Sequence, residues 1–392
     1  MSVRKGLLSI LRQIRLQAVH DSAVILAGGR GERMLPITEF QPKALVPIFG
    51  VPIIKLQIEQ LQRLGIRKVH ILTGHFGEDI ENYIQAQSFK IEVVCIQSDP
   101  NFEPGKRLVN SLPVLPAEFL LLYCDNFIPD DKLISDQINS PKEVSMILQV
   151  RDAGNIELKN GEECIYMSKD RHATTPYVEL GYLSIRSEDF KEILQETLDL
   201  NLTFKIYSEK YTMSYLILTS EYQSVSDFLR YIRQGLQGKI MILDRDGILN
   251  EKMAPREYLN SLDQLVYEND FIEIFKSLGG LGFNFVIASN QPGIATGQVA
   301  SEFLSELHRK MTDDLRVMGV NILAFYVCKH HWDDNCECRK PKPGLLNQIV
   351  SEFDLTPNST YFVGDEEKDI QAAESAGMKG VKFPMPYFLN QF

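Results

Sequence analysis

The sequence predicts an α/β protein built from two consecutive domains. Its 392 residues exceed what one ordinary hydrophobic core supports, so two domains of roughly 150–200 residues are expected. Two short apolar runs, at 23–27 and 240–243, have the composition of buried strands, and each leads into a glycine-containing turn. Open α/β sheets bind ligands at such strand ends, so each run marks one domain and the position of its chemistry.

The composition excludes several kinds of partner. The net charge of −11 argues against nucleic acid or an anionic membrane as the main partner, and no apolar run is long enough for stable membrane insertion. Small phosphorylated ligands remain compatible, because local basic loops bind them. Of the six cysteines, three lie close together and three are scattered, which favours a reducing compartment, the cytoplasm, over a disulfide framework.

Residues 1–20 have the apolar spacing of an amphipathic helix, with Leu7, Leu8, Leu11 and Ile14 on one face. We interpret this segment as a packing or dimerisation helix, and a homo-oligomer is therefore compatible with the sequence. A secretory signal peptide is not expected, because the apolar stretch is short and no small-residue cleavage site follows. A membrane-surface helix and an organellar presequence remain as alternatives.

The first domain is predicted over residues 21–237 and begins with a strand and a glycine-rich loop. Gly28, Gly29 and Gly31 let the backbone adopt positive φ and approach a triphosphate closely. Arg33 and Lys43 supply positive charge near that loop. Helical and strand patterns then alternate, and the strand pattern at 119–124 leads into an aspartate and an asparagine.

The run G-G-x-G-x-R-M-x-P-x-T, followed by Pro42 and Lys43, resembles the signature of the sugar-1-phosphate nucleotidyltransferases. The resemblance implies a Rossmann-like fold and transfer of a nucleotidyl group from a nucleoside triphosphate to a sugar 1-phosphate, with release of pyrophosphate. It also implies a role for each matching position: the three glycines and Arg33 bind the nucleotide, Lys43 the reacting phosphates, Asp125 a Mg²⁺ ion, and Lys169, Glu179 and Gly181 the sugar.

Two positions depart from that family. Residues 104–107, Pro-Gly-Lys-Arg, replace its usual P-L-G-T loop, and Leu216 stands where relatives carry an acidic residue that is often a second metal ligand. Either another acid such as Glu179 takes the place of that carboxylate, or the domain is a slow or inactive catalyst that serves as a binding or oligomerisation module.

The second domain is predicted over residues 238–392, after a short glycine-containing linker. Its first strand delivers Asp244 and Asp246 to a turn, and two carboxylates so close together repel each other unless a cation shares them. A polar turn is the simplest alternative. Three later features favour a Mg²⁺ site with one aspartate as nucleophile: Ser289 after a second strand, Lys340 in a basic loop, and Asp365 after a further strand.

These four ordered features resemble the motifs of the haloacid dehalogenase phosphatases, and the finer pattern resembles their D-glycero-D-manno-heptose-1,7-bisphosphate phosphatase branch. That pattern comprises DRDGILN, NQPGIATG and C-x-H-x₅-C-x-CRKPKPG. The resemblance implies these roles: Asp244 as nucleophile, Asp246 as general acid and base with its carbonyl on the metal, Asp244 and Asp365 as Mg²⁺ ligands, Ser289 and Lys340 on the phosphoryl oxygens, Asn290 and Arg339 on the substrate, and Asp369 in support.

Four residues have the number and identity of ligands in a closed structural zinc site: Cys328, His330, Cys336 and Cys338. Burial as free thiols is the alternative, but the intervening W-D-D-N is polar. Because Arg339 and Lys340 follow directly, the zinc is expected to fix the loop that presents these cations.

Together the two resemblances imply a bifunctional enzyme of nucleotide-activated heptose synthesis, which feeds lipopolysaccharide and other surface glycans. The phosphatase removes the 7-phosphate, and the transferase then uses the 1-phosphate with a nucleoside triphosphate, for which GTP is expected. Thr296, Asn269 and Asp270 depart from the heptose branch, and the H-x₅-C spacing is closer to histidinol-phosphate phosphatases. A histidinol-phosphate-type or other sugar phosphatase with an inactive transferase-like domain is therefore the alternative.

Overall fold

The structure is a computed structural model that describes residues 20–159, 161, 163–172 and 174–383. The predicted amphipathic segment 1–20 lies outside the described residues, apart from His20.

Strands and helices alternate along most of the described chain, and the predicted α/β class is confirmed. The strands are β1 (Ser22–Ala27), β2 (Pro47–Ile48), β3 (Val51–Pro52), β4 (Lys68–Thr73), β5 (Glu92–Gln97), β6 (Phe119–Tyr123), β7 (Asn126–Phe127), β8 (Val144–Val150), β9 (Ile156–Lys159), β10 (Glu163–Tyr166), β11 (Tyr177–Ile185), β12 (Ser214–Ile217), β13 (Gln223–Ser224), β14 (Lys239–Leu243), β15 (Phe283–Asn290), β16 (Ile322–Cys328), β17 (Tyr361–Gly364) and β18 (Lys379–Lys382). The α-helices are α1 (Ile53–Arg63), α2 (Gly77–Gln85), α3 (Pro104–Ser111), α4 (Asp131–Ile138), α5 (Glu188–Thr197), α6 (Leu200–Lys210), α7 (Phe228–Arg233), α8 (Asn269–Gly279), α9 (Ser301–Val317), α10 (Gly344–Glu352) and α11 (Glu367–Ser375).

Several helices begin where an acidic or hydroxyl side chain accepts hydrogen bonds from the first backbone N–H groups. Asp130 accepts from Leu133 before α4, and Asp199 caps α6 in the same way. Such caps satisfy donors that the helix itself leaves free, so these residues define the helix starts.

The residues separate by their contacts into two units. The first unit contains 20–31, Pro42–Leu45 and Ile53–Ser226, and the second contains Glu32–Gln41, Val46–Pro52 and 227–383.

The first unit is built on a nine-stranded sheet in the order β5-β4-β1-β6-β11-β8-β12-β10-β9. Its β5, β4, β1 and β6 run parallel, and β11 is antiparallel to both neighbours. Residues of β1 alternate between two buried clusters, Ile25 in one and Val24 in the other, so the sheet is covered on both faces. The chain leaves β1 toward β4 and later returns to β6 on the other side of β1. The carboxyl ends of these two neighbouring strands, called the β1/β6 edge below, are therefore a topological switch point.

The second unit is built on a five-stranded, fully parallel sheet in the order β16-β15-β14-β17-β18. The chain proceeds outward from β14 to β15 and β16, then crosses to β17 and β18, so the switch point lies between β14 and β17. The loops after these two strands carry Asp244 and Asp365.

The two contact units differ from the predicted domain boundary at 237/238 in two respects. Helix α7 belongs to the second unit, because the Phe228 ring packs edge-on against Phe353 and the Tyr231 hydroxyl donates to the Pro47 carbonyl over 2.7 Å. The segment Glu32–Gln41 belongs there as well. The Phe40 ring lies in the buried core of this unit, with its centroid 5.6 Å from that of Phe325.

Gln41 completes the attachment of that segment. Its Nε2 donates to the Ile322 carbonyl over 3.1 Å, and its Oε1 accepts from Arg316 over 3.0 Å. The local sequence pattern does not encode such long-range contacts. The sequence therefore predicted that Glu32–Gln41 belongs to the same domain as the preceding strand β1.

Candidate active sites

The carboxyl end of β14 holds a buried carboxylate in a fixed position. The backbone N–H of Asp244 donates to the Val363 carbonyl over 2.8 Å, which continues the pairing of β14 with β17. Its side chain is 8% exposed, and Oδ1 accepts from the Arg245 backbone N–H over 2.7 Å. The same oxygen lies 2.9 Å from the Lys340 ammonium. Two contacts to Oδ1 therefore orient the carboxylate, and one backbone bond fixes the residue that carries it.

Lys340 is the central cation of this site. Its side chain is fully buried, with Nζ 2.9 Å from Asp244 Oδ1 and 2.8 Å from Asp369 Oδ1. Burial alone would lower the pKa of Lys340, but the two carboxylates outweigh it and raise that pKa. Burial raises the pKa of Asp244, Lys340 opposes this, and Asp369 adds to the rise. The ammonium therefore stays charged between its two partners.

Asp246 is held by a separate set of donors. Its Oδ1 lies 2.9 Å from the Arg245 guanidinium and 3.0 Å from Asn250 Nδ2, and its Oδ2 accepts from Gln291 Nε2 over 2.8 Å. Burial would raise the pKa of Asp246, but Arg245 and the two amide donors hold it below its usual value. The carboxylate is therefore ionised at neutral pH and able to accept a proton.

Three carboxylates of this strand edge form a group suited to a hard cation. One oxygen each from Asp244, Asp365 and Asp369 lies within 4.8 Å of the others. Asp365 Oδ1 is buried without a hydrogen-bond partner, and a Cβ at Gly247, where φ is +82°, would lie 2.7 Å from Asp365 Oδ2. Oxygen donors in this arrangement fit Mg²⁺.

Asp369 has a supporting position within that group. Its Oδ1 faces Lys340, and its Oδ2 accepts the Glu366 backbone N–H over 3.1 Å at the start of α11. Because both oxygens are engaged, Asp244 and Asp365 are the residues best placed to hold the ion. The side chain of Asp246 is not part of the group, and its expected carbonyl contact with the metal stays a prediction.

The predicted phosphate and substrate residues are only partly placed as expected. Ser289 Oγ, at the end of β15, accepts from Gln291 Nε2 over 2.9 Å. Both polar atoms of the Asn290 side chain bond the backbone of Lys340, each over 3.1 Å. These bonds orient the backbone of Lys340, and because Asn290 also borders the cavity beside Asp244, its expected contact with the substrate stays a prediction. Arg339 borders the same cavity, and its Nη1 is buried without a partner, so it offers a donor to an anion.

A cavity of about 250 Å³ opens beside Asp244. Part of the cavity wall consists of residues that the sequence did not single out: the segment 252–259, and Lys368 on α11. Basic residues of the wall comprise Arg245, Lys252, Arg256, Arg339 and Lys368. The signal was available: Lys252 and Arg256 follow the aspartate turn directly in the sequence. Gln291 and Asn250 donate to Asp246 and lie inside the motifs NQPGIATG and DRDGILN, but the sequence assigned neither of them a role.

The four predicted zinc ligands converge. Sγ of Cys336 lies 3.6 Å from Sγ of Cys328 and 3.6 Å from Sγ of Cys338, which excludes a disulfide between them. His330 Nδ1 lies 3.2 Å from Cys338 Sγ and 3.7 Å from Cys328 Sγ. Ligands at about 2.3 Å from a tetrahedral zinc are separated by about 3.8 Å, so the donor set fits zinc.

In the first unit, the carboxyl ends of β1 and β6 bring together two of the predicted residues. Lys43 Nζ lies 2.7 Å from Asp125 Oδ2, and both side chains are largely buried. Asp125 Oδ1 is buried without a hydrogen-bond partner. This ion pair lies at the switch point of the sheet, and the roles expected for Lys43 on the reacting phosphates and for Asp125 on a metal stay predictions.

The glycine-rich loop is filled on one side by Arg107, which lies on helix α3 in the segment that departs from the transferase pattern. Its buried guanidinium donates to the carbonyls of Thr73, Gly28, Asp99 and Phe102 and to the Ser98 hydroxyl. A Cβ on Gly28 would collide with this guanidinium, whereas one on Gly29 would meet no atom within 4 Å. Only the outer part of the loop is therefore open.

The remaining predicted residues of the first domain differ in their surroundings. Arg33 lies on an exposed 3₁₀ turn that belongs to the second unit, and Lys169 lies in an exposed loop. Glu179 Oε2 accepts the Gly181 backbone N–H over 2.6 Å. Burial raises the pKa of Glu179 to about 7, the Gly181 bond opposes this, and Asp125 adds to the rise.

No helix in the described ranges is both long and apolar enough to cross a membrane.

Two family models match the chain. A nucleotidyl transferase model covers residues 22–140, and a HAD-hydrolase-like model covers 337–382. The chain is 35% identical over 147 residues to the D-glycero-beta-D-manno-heptose-1,7-bisphosphate 7-phosphatase of Pasteurella multocida, which is 36% of this chain and 78% of that protein.

A second relative is the histidine biosynthesis bifunctional protein HisB of Campylobacter jejuni, 33% identical over 145 residues, which span 37% of this chain and only 41% of that protein's length. Among solved structures, the D,D-heptose 1,7-bisphosphate phosphatase of B. bronchiseptica, complexed with magnesium and phosphate, is 34% identical with a TM-score of 0.35, covering 36% of this chain and 78% of that one.

Proposed function

Since the chain belongs, through its second unit, to the family of the D-glycero-beta-D-manno-heptose-1,7-bisphosphate 7-phosphatases and carries a nucleotidyl transferase domain before it, we propose that the second unit hydrolyses the 7-phosphate of this bisphosphate. The observation that carries the proposal is the position of Lys340, buried between Asp244 and Asp369 beside the unpartnered oxygen of Asp365.

We propose the following task for each residue. An Asp244 oxygen attacks the phosphorus and forms an aspartyl phosphate as the bond from phosphorus to the sugar oxygen breaks. Asp246, once protonated, gives its proton to that sugar oxygen, and as a carboxylate it then takes a proton from the water that releases phosphate. Lys340 and Ser289 stabilise the phosphoryl oxygens. Mg²⁺, when held by Asp244 and Asp365, supplies further positive charge against them.

The cavity wall favours a bisphosphate over histidinol phosphate. Lys252, Arg256, Arg339 and Lys368 lie around the space beyond Asp244, whereas the acids there, apart from the aspartate pair, are Glu257 and Glu366. This balance suits a second phosphate and disfavours the ammonium group of histidinol phosphate. Thr296 replaces an arginine usual in the heptose branch, and we propose that Arg256 or Lys368 serves in its place.

Phosphate release from heptose 1,7-bisphosphate and from histidinol phosphate, measured side by side with Mg²⁺, tests the assignment. We expect kcat/KM to be at least tenfold higher for the bisphosphate. A preference for histidinol phosphate would transfer the chain to the alternative substrate class.

For the first unit we propose Mg²⁺-dependent nucleotidyl transfer, with GTP as donor and the phosphatase product, heptose 1-phosphate, as acceptor. The Lys43–Asp125 pair supports this, since a cation and a carboxylate with a free oxygen lie together at the switch point. Arg107 opposes it by filling the space beside Gly28. We therefore expect slow turnover and a high Mg²⁺ requirement.

Pyrophosphate release with heptose 1-phosphate and each nucleoside triphosphate tests the transferase, with Lys43→Met as the inactive control. Leu216→Asp is expected to lower the Mg²⁺ requirement if this position is where relatives carry their acid. Calorimetry that detects no GTP binding at millimolar Mg²⁺ would leave the first unit as a sugar-phosphate-binding or oligomerisation module.

We propose further that Cys328, His330, Cys336 and Cys338 hold one structural zinc ion, and that the enzyme works in the cytoplasm. The ligand separations support the first statement, and the absence of bonded sulfur pairs among the described cysteines supports the second.

A further inference from the structure

Lys252 contacts a residue that we assign to the Mg²⁺ site. Its Nζ lies 2.7 Å from Asp365 Oδ2 and also contacts Glu366 Oε1. The residue lies on the cavity wall, six positions after Asp246, and none of the sequence motifs includes it. Its ammonium therefore neutralises one of the two carboxylates best placed to hold the ion.

The charges of the site explain why this contact matters. Lys340 forms ion pairs with Asp244 and Asp369. Arg245 forms one with Asp246, and Lys252 forms ion pairs with Asp365 and Glu366. Each of these five carboxylates thus already has a cation. A Mg²⁺ ion on Asp365 would place two further positive charges beside the Lys252 ammonium, and at such a separation the two cations repel each other strongly.

Lys252 differs from Lys340 in the exposure of its side chain, and therefore in how easily its ammonium can move away from its carboxylate partners. The Lys340 side chain is fully buried, whereas that of Lys252 is 43% exposed and borders the cavity directly. A flexible, half-exposed lysine changes rotamer at small cost, so Lys252 is the cation that yields when the ion arrives.

We propose that Lys252 is a latch, meaning a lysine that competes with Mg²⁺ for Asp365: its ammonium pairs with this carboxylate, would leave it when Mg²⁺ is held there, and would then contact the second phosphate of the substrate from the cavity wall. The part that concerns the substrate rests on the proposed phosphatase function. Arg256, on the same wall segment, lies in position to share that phosphate with Lys252.

The test is Lys252→Met, compared with the wild type and with Lys382→Met. Lys382, at the end of β18, lies 3.4 Å from Glu367 at the start of α11 and is not part of the cavity wall, so its variant controls for the loss of one ion pair. Calorimetric titration with Mg²⁺ alone is expected to show about tenfold tighter binding to Lys252→Met, because the competing cation is gone. KM for the bisphosphate is expected to rise about tenfold.

These opposite changes distinguish a latch from a lysine that merely orients Asp365. In the second case Lys252→Met would bind Mg²⁺ more weakly or equally, as loss of a supporting contact predicts, and either result overturns the proposal. Lys252→Gln, which keeps a polar side chain, repeats the titration if the Met variant is unstable. Tighter Mg²⁺ binding in a protein that does not hydrolyse the bisphosphate would refute the proposed substrate while the metal-release step stands.

Discussion

The two switch points of this chain have the same topology and different contents. At the β14/β17 edge, carboxylates and cations alternate around a cavity of about 250 Å³. At the β1/β6 edge, Lys43 and Asp125 form one ion pair, and the guanidinium of Arg107 occupies the space beside the glycine loop. Both edges carry the motif that their family resemblance requires, but only the first has its predicted residues gathered around open space.

The difference shows that a motif specifies a backbone shape, whereas the surrounding chain decides whether that shape is available to a ligand. Gly28 has the conformational freedom expected of a phosphate-binding loop, yet its carbonyl is bonded by an arginine from elsewhere in the unit. Around Asp244, by contrast, the neighbouring strands supply side chains that complete the site.

The strongest test of the β14/β17 edge is Asp244→Asn. The change is nearly isosteric and leaves Lys340 paired with Asp369, but it removes the nucleophile, so we expect kcat to fall by about 10⁴-fold or more with little change in melting temperature. Steady-state phosphate release measures this, with Asp263→Asn in the 3₁₀ turn Leu262–Gln264 as a control of full activity. Substantial turnover by the variant would remove Asp244 from the nucleophile role.

The second test concerns the loop that presents Arg339 and Lys340. We expect Cys336→Ser to lose its zinc and about 10–100-fold in activity, because the metal no longer fixes these cations. Elemental analysis and the fluorescence of Trp332, the single tryptophan of the chain, follow the loss. Cys95→Ser, in the first unit, should retain both zinc and activity. Freshly purified, unchelated wild-type protein without zinc would contradict the assignment.

The sequence predicted much of the β14/β17 edge for a simple physical reason. Asp244, Ser289 and Asp365 each follow a parallel strand, and the carboxyl ends of parallel strands meet at one edge of a sheet. The convergence of Cys328, His330, Cys336 and Cys338 was predictable because their spacing along the chain is short.

What the sequence did not predict depends on contacts between distant segments. The membership of Phe40 in the second unit, the turn of Arg107 toward Gly28, and the bonds of Asn290 to the Lys340 backbone all result from packing across many residues. Local periodicity carries no information on such pairings, and each of them changed the interpretation of a motif residue nearby.

The third prediction addresses the segment that follows the glycine loop. Phe40→Ala should destabilise the second unit by about 3 kcal/mol, because a ring that is 9% exposed leaves a cavity against Phe325 and His308. Phe49→Ala, at a ring that is 51% exposed, is the matched control and should cost little. Denaturant unfolding followed by phosphatase activity measures both. Equal effects would contradict the assignment of Glu32–Gln41 to the second unit.

The fourth prediction separates the two halves of the glycine loop. Gly28→Ala should destabilise the first unit by about 2 kcal/mol, since the new Cβ displaces the Arg107 guanidinium from its acceptors. Gly29→Ala, with no atom within 4 Å of its Cβ, should leave stability unchanged. Thermal unfolding of both variants decides this. If the two variants were equally stable, Arg107 would not fill the loop, and the β1/β6 edge would be as open as its counterpart.

The smallest expected effect concerns Glu179, next to the same edge. Burial raises the pKa of Glu179 from 4.5 to about 7, so the folded state retains a proton that the unfolded state has already lost between these values. The contribution of this proton to stability is complete below the unfolded pKa and is lost as the pH rises through about 7. Glu179→Gln has no such proton, so its stability does not fall in this pH range. The variant should therefore be more stable than the wild type by about 1–2 kcal/mol near pH 8, but not near pH 4. The partial exposure of the residue keeps this difference below the value that the full pKa shift implies. Denaturation midpoints at the two pH values measure it, with the exposed Glu196→Gln as the control that should show no such difference. The midpoint difference between Glu179→Gln and the wild type would contradict this if it were the same at both pH values. Glu179 would then be solvated like a surface acid and ionised at neutral pH. In that case its carboxylate would be available at neutral pH to take the place of the acid absent at Leu216, which would bring the β1/β6 edge closer to the composition of the β14/β17 edge.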